Sequence, residues 1–380
     1  MNARLQCFCQ IEKLVNYFKY NSYIREIMQK YKDNNKMCLT SSFKNLIENL
    51  WPSVNELIDF KNNHKNSNNK YFAPYEFKEK ISKMNPLFQG VQANDSKDLV
   101  NFIIMTLHQE LNKAQVKQLP NNNQFIDQTN MQLIFQNFAM NFVNENKSII
   151  SDIFYGANFT STQCSKCRII KYNFQAYFFL IFPLEEVRKM KILFLINQFE
   201  QMYYNIKIMN PFLYQQYFTN FKLNINNINS INIIDCFKYN QKLEYFTGEN
   251  SMFCNKCQLL CPAYYQTKLF TAPQILIIVL NRGKGIEFNV KLEFLEDLNL
   301  ADFIENKNAG FMYKLIGVVT HLGESGASGH FIAYCRSPID YQWYRYNDDL
   351  VSRVNNFREE IIDYAMPYIL FFQNTKLNKN

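Results

Sequence analysis

Two cysteine pairs, Cys164-x-x-Cys167 and Cys254-x-x-Cys257, stand 86 residues apart (168 to 253) and constrain this chain more than any other feature. Each pair can form a tight knuckle that points two sulfurs at one ion, and two knuckles complete a tetrahedral thiolate site for Zn2+. A compact zinc ribbon keeps its pairs much closer. Here the site must staple together two hairpins remote in sequence. Two unrelated thiol pairs, or two redox motifs, are the other readings of the spacing. Cys261 could substitute for a ligand, but the two matched pairs are preferred. Four thiolates leave no open position, so such an ion is structural and no catalytic cofactor is expected.

The remaining six of the ten cysteines are dispersed among apolar residues and read as small buried hydrophobes. No secretory core precedes them: Met1 to Tyr20 mixes Arg4, Gln10, Glu12 and Lys13 into its apolar positions. A disulfide framework is therefore not expected. With 47% hydrophobic residues, 35 Phe and 24 Tyr, wholesale disorder is excluded. Apolar runs such as Ile275 to Leu280 are too short to cross a bilayer. The expectation is an intracellular globular protein, cytoplasmic or nuclear, monomeric and without a membrane partner. The net charge of +8 comes from Lys and Arg scattered without a run of five, so no nucleic-acid face is expected.

Helices are expected first and strands afterwards, which argues an α+β fold. Apolar residues at helical spacing mark Leu14 to Tyr31 and Lys97 to Leu111. The polar stretches Lys61 to Lys70 and Gln118 to Asn130 read as connections. From Asn144 onward β-branched and aromatic runs predict strands over Ala176 to Phe182, Gln274 to Leu280, Tyr313 to Thr320, Phe331 to Cys335 and Trp343 to Tyr346. Asn224 to Asn232 is low-complexity Asn/Ile sequence within a long insert.

The catalytic candidates lie near the C-terminus. Gly329-His330-Phe331-Ile332-Ala333-Tyr334 and Trp343-Tyr344-Arg345-Tyr346-Asn347-Asp348-Asp349 flank a turn-like Ser337-Pro338-Ile339-Asp340. A hairpin centred between Pro338 and Ile339 pairs residues whose numbers sum to 677. His330 and Asn347 then face each other with β-carbons about 4.5–5.5 Å apart. An amide beside an imidazole fixes its tautomer, as in the base-and-orienter half of a Cys-His-Asn thiol protease. Taken alone, His330 reads rather as a partly buried residue on a sheet edge, and its context changes that reading. Gly323, Gly326 and Gly329 suit a loop lining a cleft.

These residues resemble the histidine box of ubiquitin-specific proteases: His321-x-Gly323, Gly329-His330-Phe331-x-Ala333-Tyr334, then Trp343-Tyr344-x-Tyr346-Asn347-Asp348-x-x-Val351. Phe331 stands where Tyr is usual, and Tyr346 where Phe is usual. The split cysteine pairs resemble the family's fingers subdomain. Asp95-Ser96-Lys97-Asp98-Leu99 is similar to its acidic box, with Ala93-Asn94 in place of a paired Gln. Leu280-Asn281-Arg282 stands where Leu-Lys-Arg is expected. The resemblance spans nearly the whole chain. It implies a papain-like cysteine protease fold with a thumb over residues 1–145, zinc-ribbon fingers over 146–270 including the insert, and a palm over 271–380.

The resemblance further implies hydrolysis after the C-terminal Gly of ubiquitin, with ubiquitin or ubiquitinated proteins as partners. His330, Asn347 and Asp348 take the catalytic positions. Asp95, Asp98, His321 and Gly329 take substrate-binding ones, while Cys164, Cys167, Cys254 and Cys257 take Zn2+. Asp95 and Asp98 read equally well as a helix N-cap and first turn. The start departs from the pattern. Met1-Asn2-Ala3-Arg4-Leu5-Gln6-Cys7 resembles the segment just after the family's nucleophile, which places the catalytic Cys two positions before Met1. Cys7 and Cys9 lie too far along the following helix to replace it. The expectation is a deubiquitinase whose N-terminus is incomplete, inactive as written. The alternatives are a ubiquitin-binding pseudoenzyme and, more remotely, a zinc-ribbon nucleic-acid binder.

Overall fold

The computed structural model describes residues 1–20, 39–52, 72–90, 96–114, 129–226, 228–283, 289–325 and 328–376. Asp95, Gly326, the 61–70 connection and the part of the expected Leu14–Tyr31 helix beyond residue 20 lie outside these residues.

Seven helices come first among the described residues: α1 (Asn2–Cys9), α2 (Glu12–Lys19), α3 (Leu39–Leu50), α4 (Tyr75–Met84), α5 (Ser96–Leu111), α6 (Met131–Glu145) and α7 (Ile149–Phe154). In α5 the buried residues Leu99, Val100, Ile103, Ile104, Leu107 and Leu111 recur at intervals of three and four, the apolar stripe that a core-facing helix needs. Its buried Glu110 also begins α3. The Glu110 carboxylate accepts from Leu39 N at 2.9 Å, Thr40 N at 2.8 Å and Thr40 Oγ1 at 2.6 Å. These satisfy donors that the start of a helix leaves without partners. Ser148 and Ser151 form a capping box at the start of α7.

The chain then enters β1 (Gly156–Cys164), β2 (Ile170–Tyr177) and β3 (Leu180–Pro183). Three helices follow, α8 (Leu184–Met202), α9 (Tyr204–Met209) and α10 (Pro211–Asn226), before β4 (Ser230–Asn232) and α11 (Ile233–Asn240). Next come β5 (Glu244–Phe246), β6 (Met252–Cys254), β7 (Leu259–Cys261) and β8 (Ala263–Thr271). The remaining strands are β9 (Ile275–Asn281), β10 (Lys291–Glu293), β11 (Asp297–Asn299), β12 (Met312–Ser325), β13 (Ser328–Arg336), β14 (Trp343–Asn347), β15 (Leu350–Arg353) and β16 (Pro367–Asn374).

Two sheets carry the sites. The smaller has the order β2-β1-β8-β5, with the β6–β7 hairpin beside it. The larger runs β15-β14-β13-β12-β16-β9-β3, with β11 on β12. Both faces of the larger sheet's central strands are covered. Ile275, Ile277, Val279, Ile369 and Phe371 pack with the thumb helices. Their alternates Leu276, Ile278, Leu280, Leu370 and Phe372 pack into a second core with α8, α11 and β11. Alternate side chains of a strand point to opposite faces, so a sheet buried on both needs unbroken apolar runs. Ile275 to Leu280 is such a run.

Three expectations are corrected. Helices return after the strands begin, because the insert folds as the α8–α10 arm. Its core is an aromatic cluster in which the Phe199 ring lies 4.2 Å from Phe221 and 4.4 Å from Tyr203. The run Ala176 to Phe182 is two strands broken at Phe178 and Phe179, which turn toward the thumb core. The middle range 146–270 is also not one body. Ile150, Ile153 and Phe154 belong to the thumb core, whereas Leu180 to Val187 and Ile231 to Phe237 contribute to the palm core. Among the described residues no helix is long and apolar enough to cross a membrane.

Candidate active site and metal centre

The β13–β14 hairpin brings His330 to Asn347, by a route other than the expected register. Ala333 pairs with Tyr346 and Arg336 with Trp343, so facing numbers sum to 679. The turn is longer than a two-residue one: Ser337 N donates to Gln342 O at 2.9 Å, and Tyr341 takes a left-handed φ of 57°. A slip of two residues preserves facing, because strand periodicity is two. His330 and Asn347 become diagonal neighbours on one face, and their longer side chains still meet. His330 Nε2 lies 2.7 Å from Asn347 Oδ1. An amide oxygen only accepts, so in this orientation Nε2 carries the hydrogen and the neutral ring keeps a lone pair on Nδ1.

Asp348 occupies the next corner, with a left-handed φ of 51° that Asp tolerates better than most residues. Its Oδ2 lies 3.5 Å from His330 Nε2, and its Oδ1 accepts from Asn2 Nδ2 of α1 at 3.2 Å. The side chains of His330 and Asp348 are about half exposed, 45% and 55%. Helix α1 packs along β13 and β12, with the Arg4 guanidinium 4.5 Å above the Phe331 ring. Gln10 Nε2 donates to Tyr346 OH at 3.1 Å.

His321 sits beneath this corner and is buried. Its ring meets those of Phe331 at 4.9 Å and Tyr368 at 5.6 Å. Burial, with Arg282 and His330 nearby, pushes its pKa below the usual imidazole value. Gly329, at φ +153°, lies against the His321 imidazole so closely that an added Cβ would fall 2.1 Å from Nε2. Asp98 is exposed in the first turn of α5, with Lys97 4.0 Å away, a position open to both the cap and the ligand reading.

The cysteines of α1 point elsewhere. Cys7 and Cys9 are buried, and Cys7 Sγ lies 3.6 Å from Cys335 Sγ in the thumb core. Burial pushes the Cys9 and Cys335 thiols far above their ordinary pKa, the opposite of what a nucleophile needs.

The second constellation assembles on the smaller sheet, where β1 and β8 pair so that Cys164 faces Ala263. Both knuckles have the same shape. Arg168 N donates to Cys164 O at 2.9 Å and Gln258 N to Cys254 O at 2.8 Å, with Arg168 and Gln258 both left-handed at φ 61° and 54°. The sulfurs of Cys164, Cys167, Cys254 and Cys257 all lie within 4.8 Å of one another, and Cys167 to Cys254 is 3.6 Å. Zn–S bonds of about 2.3 Å in a tetrahedron separate sulfurs by roughly 3.8 Å, so this donor set fits zinc. The Cys167 backbone N–H, against the opposing effect of burial and with help from Lys166 N–H, lowers the Cys164 thiol to about 6.

The ubiquitin carboxyl-terminal hydrolase family matches residues 1–372. The chain belongs to that family. It is 22% identical to ubiquitin carboxyl-terminal hydrolase 2 of Bos taurus over 98% of its length and 53% of the relative's. It is 24% identical to the Gallus gallus protein of the same name, over 89% of this chain and 80% of that one. It thus spans about half the length of the first of these curated relatives. Among solved structures, the SAGA DUB module of Ubp8, Sgf11, Sus1 and Sgf73 bound to monoubiquitin superposes with a TM-score of 0.64 at 18% identity, covering 98% of this chain and 66% of that one.

As a member of this family, the chain has the mixed helix-and-sheet deubiquitinase fold, with a zinc-ribbon-like cysteine cluster. Two contacts at its site escape a reading by strand and motif. Asn2 reaches Asp348 across 346 residues, and Gln10 reaches Tyr346 across 336. Asn2 opens α1 and Gln10 caps its C-terminal end, and no local spacing points either residue at the β13–β14 hairpin.

Proposed function

We propose that this domain binds ubiquitin and catalyses thiol-dependent hydrolysis of the bond after its C-terminal Gly, with His330 as base and Asn347 as orienter. The contact that carries the reading is His330 Nε2 to Asn347 Oδ1 at 2.7 Å. It leaves Nδ1 to take the proton of a thiol. The thiolate attacks the glycyl carbonyl, and the imidazolium returns the proton to the leaving amine as the C–N bond breaks. Water, deprotonated by the same nitrogen, then cleaves the thioester. Asp348 Oδ2 stands 3.5 Å from the same His330 nitrogen.

On this reading the nucleophile is none of the nine cysteines among the described residues. Cys7, Cys9 and Cys335 are sealed in the core, and the four knuckle sulfurs are committed to one another. Those four hold a structural Zn2+. Asp98, with Asp95, grips the basic ubiquitin tail by charge-assisted hydrogen bonds. The monoubiquitin bound to the structural relative supports ubiquitin as the ligand.

The test compares the 380-residue chain with one extended before Met1 by Asn, four residues and Cys-Tyr. Both are assayed for ubiquitin binding and for cleavage of a fluorogenic ubiquitin C-terminal amide. The expected result is binding by both and cleavage by the extended chain alone, reduced about 10²-fold or more by His330→Ala. Cleavage by the unextended chain that a thiol-blocking reagent abolishes would overturn the assignment of the nucleophile. An extended chain that binds ubiquitin but cleaves nothing is a pseudoenzyme.

A further inference from the structure

A fifth cysteine packs against the four knuckle cysteines. Cys261 ends β7, where it pairs with Met252, while Cys254 pairs with Leu259. Residues two apart on a strand share a face, so Cys254 and Cys261 project to the same side of this hairpin as diagonal neighbours. The next residues tie the hairpin to the other knuckle: Pro262 O accepts from Ser165 N at 2.9 Å, and Ala263 faces Cys164. Cys261 is therefore wedged between the two knuckles. It packs in one cluster with Cys164, Cys254, Cys167 and Cys257. Of the five it is the most enclosed, 1% exposed, whereas Cys167 and Cys257 are only half-buried.

A small hydrophobe would fill that space without a sulfur. Tetrahedral zinc uses four thiolates; the four knuckle sulfurs lie within 4.8 Å of one another, and Cys261 packs against them as a fifth cysteine. Resting on the zinc reading above, we propose that Cys261 is a spare zinc ligand that takes the place of Cys257 when the Cys257 sulfur is lost. On exchange the Cys261 thiol gives its proton to solvent and its sulfur bonds to the metal, so the ion keeps four thiolates and its charge balance. The knuckle around Cys254 stays in place, because Gln258 N to Cys254 O is a backbone contact. Cys257 is the more accessible of the two knuckle cysteines on that side, whereas Cys254 is buried.

The experiment measures zinc per chain after gel filtration for the 380-residue protein and its Cys257→Ala, Cys261→Ala, Cys257→Ala/Cys261→Ala and Cys254→Ala variants. Cobalt(II) exchange on the same samples reports thiolate number through the sulfur-to-cobalt charge-transfer band. The wild type and both single variants at 257 and 261 are expected to hold about one ion with an undiminished band. The double variant and Cys254→Ala lose the metal. Loss of zinc from Cys257→Ala alone overturns the inference, as does a three-thiolate band showing water in the empty corner. Retention by the double variant also overturns it. A wild type without zinc sinks the zinc reading itself, a separate outcome seen before any variant is made.

Discussion

Replacing Gly329 with alanine tests how the corner beneath His330 is built. An added Cβ would lie 2.1 Å from His321 Nε2, 2.2 Å from Cε1 and 2.6 Å from Leu322 O, all far inside van der Waals contact. The His321 ring has no free direction, since Phe331 and Tyr368 hold it from two sides. Overpacking of this kind costs about 1–3 kcal/mol. The φ of +153° adds about 1–3 kcal/mol of backbone strain for a residue with a Cβ. Unfolding entropy near 2.1 cal/mol/K per residue gives roughly 0.8 kcal/mol/K for 380 residues, so the melting temperature should fall by about 3–8 °C. Gly248 provides the control, because its φ is +62° with nothing within 4 Å of an added Cβ. Gly248→Ala carries strain without overlap and should cost about 1–2 kcal/mol. In a His321→Ala background the ring overlap disappears, and Gly329→Ala should cost about 1–2 kcal/mol less than in the wild type. Circular dichroism melts of the five proteins complete the cycle. A Gly329→Ala loss no larger than that of Gly248→Ala would refute the argument from overlap.

Glu110→Ala strips three donors at the start of α3 of their acceptor and should destabilise the protein by about 3 kcal/mol or more, with Glu110→Gln milder; chemical denaturation measures both. His321 sets a pH dependence. Its folded pKa lies below the unfolded value near 6.5, so the unfolded chain binds the proton more readily. Stability should therefore fall as pH drops through about 6.5 toward the folded value, and His321→Gln should flatten that slope in melts between pH 7.5 and 5.

The parts of the fold legible in sequence are those that periodicity decides. The α5 stripe and the doubly apolar run of β9 both follow from side chains alternating between core and solvent, or between two cores. The α8–α10 arm was missed because Met202, Met209 and Phe212 are apolar yet 76%, 86% and 76% exposed, so its pattern has no solvent face to read. At the site, residue identity outlasted register. The turn after Cys335 is longer than its Pro338-centred reading, yet parity kept His330 and Asn347 on one face. The knuckles were legible for a similar reason, since Cys-x-x-Cys closes locally whatever lies between the pairs. Contacts such as Asn2 to Asp348 depend on how a helix docks on a distant hairpin, and no local spacing encodes that.

The arm leaves and rejoins the palm almost at one point. Arg188 Nη1 donates to Ile228 O at 3.3 Å, and Lys191 Nζ meets Asp235 Oδ2 at 3.1 Å, so the two stalks are clasped where they enter the body. Beyond that clasp the Phe199 ring packs with those of Tyr203, Tyr214, Phe218 and Phe221 of the arm itself. Such an attachment makes the arm a cassette. Its length can grow, shrink or be exchanged for another sequence, provided the two ends still arrive side by side. This explains how the 43 residues of α8–α10 (184–226) fit between the two knuckles without disturbing the geometry of either.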